Sequence, residues 1–269
     1  MATPQTWNGS AWVATTKAKF AYHNGTTWVE PSDVKYWNGS SWVTIFSGGS
    51  SGSVAFRASS SNTANSVNSL NVTVPASVQT GDLLVLTVAQ TTNSTTLFNA
   101  ISGWTKVGEQ RAGGAAHTIG IFYRLAQNGD ASSTVTTTSA ATENYTAHIR
   151  AYSGVHQTTP LDATTVFAEQ DPAATTASAP AITVSTANSM VVTVYSVPTT
   201  ANTTLSAVNW TDPSSFSNEL TTCSTSTNNN AALATYDKSI TGTGSQGPFA
   251  ATITQSRRWA LATLAIRPA

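Results

Sequence analysis

The chain has 269 residues, with 12 basic and 12 acidic side chains and no net charge at neutral pH. No basic stripe is present, so the electrostatic footprint of a nucleic-acid binder is missing; the strongest apolar run, "LLVLTVA" (83–89), is far too short to insert in a bilayer. Hydrophobic residues make up 40% and charged residues only 9%, and the Thr- and Ser-rich remainder favours a β-protein, because β-branched Thr fits a pleated solvent face.

Residues 1–46 contain one short motif three times: "WNGSAWV" (7–13), "HNGTTWV" (23–29) and "WNGSSWV" (37–43). Asn-Gly between strand-like flanks is a strong hairpin signal, since a type I′ turn needs positive φ at both central positions. Turns are therefore expected at Asn8-Gly9, Asn24-Gly25 and Asn38-Gly39. A two-residue turn at Asn38-Gly39 sets Trp37 opposite Ser40, Tyr36 opposite Ser41 and Lys35 opposite Trp42. Trp37 and Trp42 then become diagonal neighbours on one face. The same logic pairs Trp7 with Trp12 and His23 with Trp28. A lone hairpin is marginal in water, so Trp7, Trp12, His23, Trp28, Tyr36, Trp37 and Trp42 are expected to form an anchoring or assembly surface. Sugar stacking is the competing reading. No carboxylate or amide recurs at a fixed offset to support it.

"SGGSSGS" (47–53) reads as a flexible linker. From Val54 onward, short apolar runs such as "LNVTV" (70–74), "TIGIFYRL" (118–125), "YTAHIRAY" (145–152), "MVVTVYSV" (190–197) and "RWALATLAI" (258–266) are separated by turn residues. The pattern also repeats itself. "LNVTVPASVQTGDLLVLTVA" corresponds to "PAITVSTANSMVVTVYSV", and "ISGWTKVGE" to "AVNWTDPSS". The expected fold is all-β: hairpin repeats, then a β-sandwich or jelly-roll region in two duplicated halves, 54–160 and 161–269. A single jelly roll over 54–269 fits the same letters. Trp104 and Trp210 match one another in the two halves and read as core. Asp82 in "TGDLL" and Asp130 in "NGDAS" read as turn caps. The polar stretches 91–100 and 221–230 are taken as equivalent loops. Asn93, Thr95, Asn99, Thr225, Asn228 and Asn229 are their candidates for contacting a host cell-wall glycan.

Catalytic patterns are missing. The acids are scattered, with no pair spaced in sequence as glycoside hydrolysis would suggest. His23, His117, His148 and His156 are isolated, and no HExxH motif, G-x-S-x-G elbow or P-loop occurs. Cys223 is the single cysteine, which excludes an internal disulfide and a Cys-rich metal site. No catalytic residue, metal or cofactor is expected. "MATPQTWNGS" has no basic segment followed by an apolar run, so no signal peptide is expected either.

Tandem "WNGSxWV" hairpins, followed by "VPASVQTGDLLVLTVA", "GWTKVGEQ", "IFYRLAQNGD", "AHIRAYSGVHQTTPLDA" and a terminal "WALATLAIRPA", resemble minor tail and fibre-type proteins of tailed phages, especially phages of actinobacteria. The resemblance implies a non-enzymatic virion protein on the particle surface. It would be oligomeric, with a trimer as the natural guess, and would contact other tail or capsid proteins and a host glycan. A capsid decoration protein or head fibre, and a secreted bacterial carbohydrate-binding module, are the alternatives.

Overall fold

The computed structural model describes residues 5–7, 12–14, 22–23, 28–29, 33–37, 39–40, 42–47, 52–91, 98–113, 117–199, 210–226 and 229–269; for Ala140 and the strands up to Ser47 it gives the backbone path alone. The chain divides into two compact units, Met1–Ser50 and Ser51–Ala269. Every regular element among the described residues is a strand, as the composition led one to expect.

The first unit holds three hairpins. They are β1 (Gln5–Trp7) with β2 (Trp12–Ala14), β3 (Tyr22–His23) with β4 (Trp28–Val29), and β5 (Asp33–Trp37) with β6 (Trp42–Ser47). Their register differs from the one a two-residue turn would set. The innermost Cα partners are Trp7↔Trp12, His23↔Trp28 and Trp37↔Trp42, leaving four residues in each loop. Lys35 pairs with Thr44 rather than Trp42. A four-residue loop needs positive φ at fewer positions than a type I′ turn, and Gly39 supplies it at φ +100°. The two tryptophan positions of β5 and β6 are thus directly opposed, not diagonal. Asn8, Gly9, Asn24, Gly25 and Asn38 lie outside the described residues.

The second unit contains two five-stranded antiparallel sheets. The first is built from β7 (Ala55–Thr73), β8 (Leu83–Thr91), β9 (Thr105–Ala112), β10 (His117–Leu125) and β11 (Thr134–Ser153), in the order β7-β11-β8-β10-β9. The second uses β12 (Val166–Ala179), β14 (Ser189–Thr199), β15 (Ser217–Cys223), β16 (Asn230–Ile240) and β18 (Phe249–Ile266), in the order β12-β18-β14-β16-β15. A short β13 (Ile182–Val184) pairs with β17 (Gly244–Gln246). With that pair set aside, both sheets read first-fifth-second-fourth-third in chain order. Each repeat of the sequence thus becomes one sheet.

Each sheet curls. β7 and β11 stay paired over most of their 19 and 20 residues, but the register shifts between Thr138, Glu143 and Tyr145. Ser66, opposite that shift, has φ 53°. Bulges of this kind bend a strand and raise its twist. The arm beyond the bend brings Leu70, Val72 and Val135 against Leu84, Leu86, Val88 and Phe122, one face of the same sheet. β12 and β18 show a comparable shift between Gln170, Ala174 and Thr176. There Ala177, Ala179 and Ile253 join Tyr195, Trp259 and Leu261. Each half therefore owns an outer core. Trp104 packs against the first and Trp210 against the second, where Trp210 meets Trp259 edge-on at 5.3 Å. The two tryptophans are not equivalent as the sequence match implied: Trp104 stands immediately before β9, and the residue in that place before β15 is Phe216.

The remaining faces cover each other. Val85, Ile119 and Ile121 of the first sheet share a cluster with Val192, Val194, Leu233, Ala262 and Leu264 of the second. β8 is consequently buried at every position, and so shows no regular polar–apolar alternation. Among the described residues no helix is long and apolar enough to cross a membrane.

Packing in the first outer core is close at Gly120, on β10, where an added Cβ would lie 2.5 Å from Phe98 Cδ2. Phe98 is itself buried. Gly120→Ala should therefore cost about 1–3 kcal/mol through overpacking. That corresponds to a melting-temperature drop of roughly 2–4 °C per kcal/mol for a unit of this size. Thermal unfolding followed by circular dichroism checks it; an unchanged melting temperature would show that Phe98 moves aside freely.

Candidate functional site

Two open clefts and one buried polar seam hold most of the chemistry of the sandwich unit. The first cleft, of about 400 Å³, lies on the outer side of the first half, between the turn before β9 and the outer arm of β11. Its lining includes Ser102, Trp104, Arg124, Thr134, Thr136 and Thr138. The three threonines fall at alternate positions of β11, so they share one strand face, while Val135 and Thr137 between them are buried. The Arg124 guanidinium carbon stands 5.3 Å from the Trp104 ring centroid, and the same side chain forms an ion pair with Asp130. Asp130 also accepts the Gln127 backbone N–H at 2.7 Å. The cation is thus neutralised, and what the cleft offers is hydroxyls, a guanidinium plane and an indole edge.

Asp82 plays the matching role at its own turn, accepting the Gln79 N–H at 2.8 Å and pairing with Arg57. Both aspartates cap turns, as their sequence context indicated.

Two of the loop candidates, Asn99 and Asn229, are brought to the bend of β11. Asn99 is exposed and donates from its amide to Thr138 Oγ1 at 3.0 Å. Asn229 is exposed and accepts at its carbonyl from Asn144 Nδ2 at 2.6 Å. Thr225 is exposed. Asn93, Thr95 and Asn228 lie outside the described residues. The two stretches are not topological equivalents, however. Residues 91–100 connect the second and third strands of the first half, and 221–230 connect the third and fourth of the second. The two stretches share an Asn/Thr/Ser composition, and composition carries no connectivity.

The seam runs between the sheets. Thr146, His148, Arg150 and Tyr152 of β11 face β15 and β16. Arg150 and Asp237 form an ion pair at 2.6 Å with side-chain exposures of 1% and 2%. Arg150 also donates from Nε to Tyr152 Oη at 2.8 Å and from Nη1 to the Thr235 carbonyl at 3.1 Å. Asn218 Nδ2 donates to the other oxygen of Asp237 at 2.7 Å. So dense a set of bonds is what lets an ion pair survive in a low-dielectric interior. His148 contacts Thr235 Oγ1 at 3.0 Å and Thr222 Oγ1 at 2.8 Å, while His117 is hydrogen-bonded to Ser196. The sequence marked these histidines only as isolated; the alternation in "YTAHIRAY" put His148 on a strand face without saying that another sheet covers it. The second cleft, of about 560 Å³, opens at the end of this seam, beside Ser53, Phe56, Ser215, Asn218, Asp237 and Ser239.

Two acids that the sequence left unpaired do meet. Burial, and next the neighbouring Asp212, raise the Glu219 carboxyl above its ordinary range. Among the described residues no group of three or more His, Cys, Asp or Glu is placed to hold a metal ion.

Burial lowers the His117 imidazole from 6.5 to about 3. It lowers His148 well below 6.5 too, with help from the Arg150 charge. Both rings are neutral in the folded chain, whereas the unfolded chain protonates them near 6.5. Their contribution is therefore intact above that pH and is lost as the pH falls from 6.5 toward the folded values. At pH 5 the loss from His117 is about 2 kcal/mol, and His148 adds a loss of the same sign. The melting temperature should fall between pH 7.5 and pH 5, and His148→Gln should make that fall smaller. An identical pH profile in the variant would show that His148 is not titrating on unfolding.

No protein-family model matches the chain, and neither a curated protein nor a solved structure matches it.

Proposed function

We propose that this chain is a structural protein of a tailed-phage particle, a minor tail or fibre component displayed for host-surface attachment and without catalytic activity. The observation that carries this reading is the repeated hairpin register of residues 5–47. In all three ladders a Trp opens the second strand directly opposite a Trp or His. Three copies of a unit too small to be stable alone, set ahead of a Gly/Ser stretch, suit an anchor that gains its stability from the particle. The sandwich unit suits the displayed part, since most of its ion pairs are spent on internal turns and the seam. We assign host contact to the cleft beside Trp104, where Thr134, Thr136, Thr138 and Asn99 offer many weak hydrogen bonds to an uncharged cell-wall glycan. The oligomeric state belongs to the same reading and follows from attachment to a symmetric particle.

Gold-labelled antibody against residues 54–269 tests the proposal on purified particles by electron microscopy. Label at the distal tail is the expected result. Label on the capsid would make the chain a decoration protein, with the hairpins as its clamp. Absence of label from every particle would overturn the phage reading and favour the secreted carbohydrate-binding module. The contact surface has its own check. The full chain carrying Thr136→Val and Arg124→Met should sediment less with host cell-wall preparations than the parent chain, and equal sedimentation removes the cleft from the reading.

A further inference from the structure

The two sheets face each other with a definite symmetry. β11 lies over β16, and β10 over β18; β7 lies by β15, and β9 by β12; β8 lies by β16, and β10 by β14; β18 lies by β9, and β11 by β15. Each contact in this series has a partner obtained by exchanging the halves, and β8 against β14 is its own partner. That is the signature of a two-fold axis through the central strands, the isologous arrangement of a homodimer.

Equivalent residues follow from the ladders. Leu83 opens β8 and pairs with Leu125 and Tyr152; Met190, in the matching place on β14, pairs with Ser239 and Ile266. Counting back along the same strands, Arg150 stands where the second half has Leu264, and His148 where it has Ala262. Asp237 stands where the first half has Tyr123, and Thr235 where it has Ile121. The polar seam therefore lies on one side of the axis only. On the other side, Ile119 and Ile121 share an apolar cluster with Ala260, Ala262, Leu264 and Ile266.

We infer that residues 51–269 are a fused pseudo-homodimer whose inner faces have become exclusive partners: the first half fits the second half and rejects a copy of itself. In a pair of first halves, Arg150 would be buried against Tyr123, with no carboxylate. In a pair of second halves, Asp237 would be buried against Leu264, with no guanidinium. A buried charge without its partner is strongly unfavourable, whereas the matched pair is tolerated. The inner face is accordingly closed to oligomerisation between chains, and any self-assembly must use other surfaces. This inference stands apart from the phage reading and does not need it.

The connection between the halves passes through Gln157, Thr158 and Thr159, which are exposed. A protease site inserted there in the full chain allows the folded protein to be nicked. The nicked protein should keep its two pieces together at neutral pH. Isotope-labelled and unlabelled nicked samples can then be mixed, unfolded, refolded and weighed by native mass spectrometry. First-with-second pairs should dominate by about a hundredfold or more, the factor set by one stranded buried charge. Pairs of like halves at their statistical share, or pieces that part on nicking alone, would overturn the inference. Should the nicked protein not refold, a second measurement on the uncut chain decides. The double variant R150L/D237L should melt above both R150L and D237L, because it strands no charge; additive losses would count against exclusion by unpaired charge.

Discussion

A sheet has two faces, and the two five-stranded sheets of residues 51–269 carry apolar side chains on all four, which must be kept from water. Each half covers one face with its own chain. The long outer strands β7 and β11, or β12 and β18, bend at bulges and lay their distal arms across the sheet they began in. The two uncovered faces then cover each other. Strand length, bulge position and the apolar character of β8 and β14 are all consequences of this one requirement. A flat sheet of the same strands would leave Leu84, Leu86 and Val88, or Val85 and Thr87, in contact with solvent.

Mutual burial of the inner faces places polar side chains where they must be satisfied, since an unmatched group in a low-dielectric interior costs more than the bond it would have made. Along β11 every inward residue from Thr146 to Tyr152 is polar or aromatic with a hydroxyl, and the facing strands supply acceptors at hydrogen-bond distance. This fixes register as well as partner. Sliding β11 by two residues against β16 would keep the pleat in phase, yet it would carry Arg150 away from Asp237 and His148 away from Thr235. An apolar seam alone tolerates such slips far better.

Much of this was legible in the letters. The all-β class, the hairpin tract, the duplication and the turn-capping roles of Asp82 and Asp130 come directly from alternation, Asn-Gly pairs and local turn chemistry. What was not legible depends on contacts distant in sequence. Nothing near "YTAHIRAY" announces that Asp237, 87 residues beyond Arg150, will meet it. The loop equivalence failed because 91–100 and 221–230 share composition but not position between strands. The hairpin register shifted because Asn-Gly at the head of a loop does not specify whether the loop has two residues or four, and both keep the Trp positions on one face of the ladder.

The distribution of charge bears on what the sandwich can recognise. Arg57, Lys106, Arg124, Arg150 and Arg258 each sit in an ion pair with an acid of the same unit. These five cations are each matched by an acid at contact distance, so their fields are largely cancelled beyond the pair. The cleft beside Trp104 has the corresponding chemistry: a row of threonine hydroxyls on one strand face, an amide at Asn99 and a neutralised guanidinium over an indole. Hydroxyls of this kind serve equally as donors and acceptors. The second half carries a different filling at the related position. There Lys238 lies over Phe216 and Phe249, whose rings meet at 4.9 Å. The equivalent outer positions of the two halves therefore differ: Arg124 lies over Trp104 beside a row of threonines, whereas Lys238 lies over two packed phenylalanine rings. The outer surface departs from the two-fold as the seam does: Arg150 and Asp237 meet on one side of the axis, and the other side is filled by Ile119, Ile121, Ala262 and Leu264.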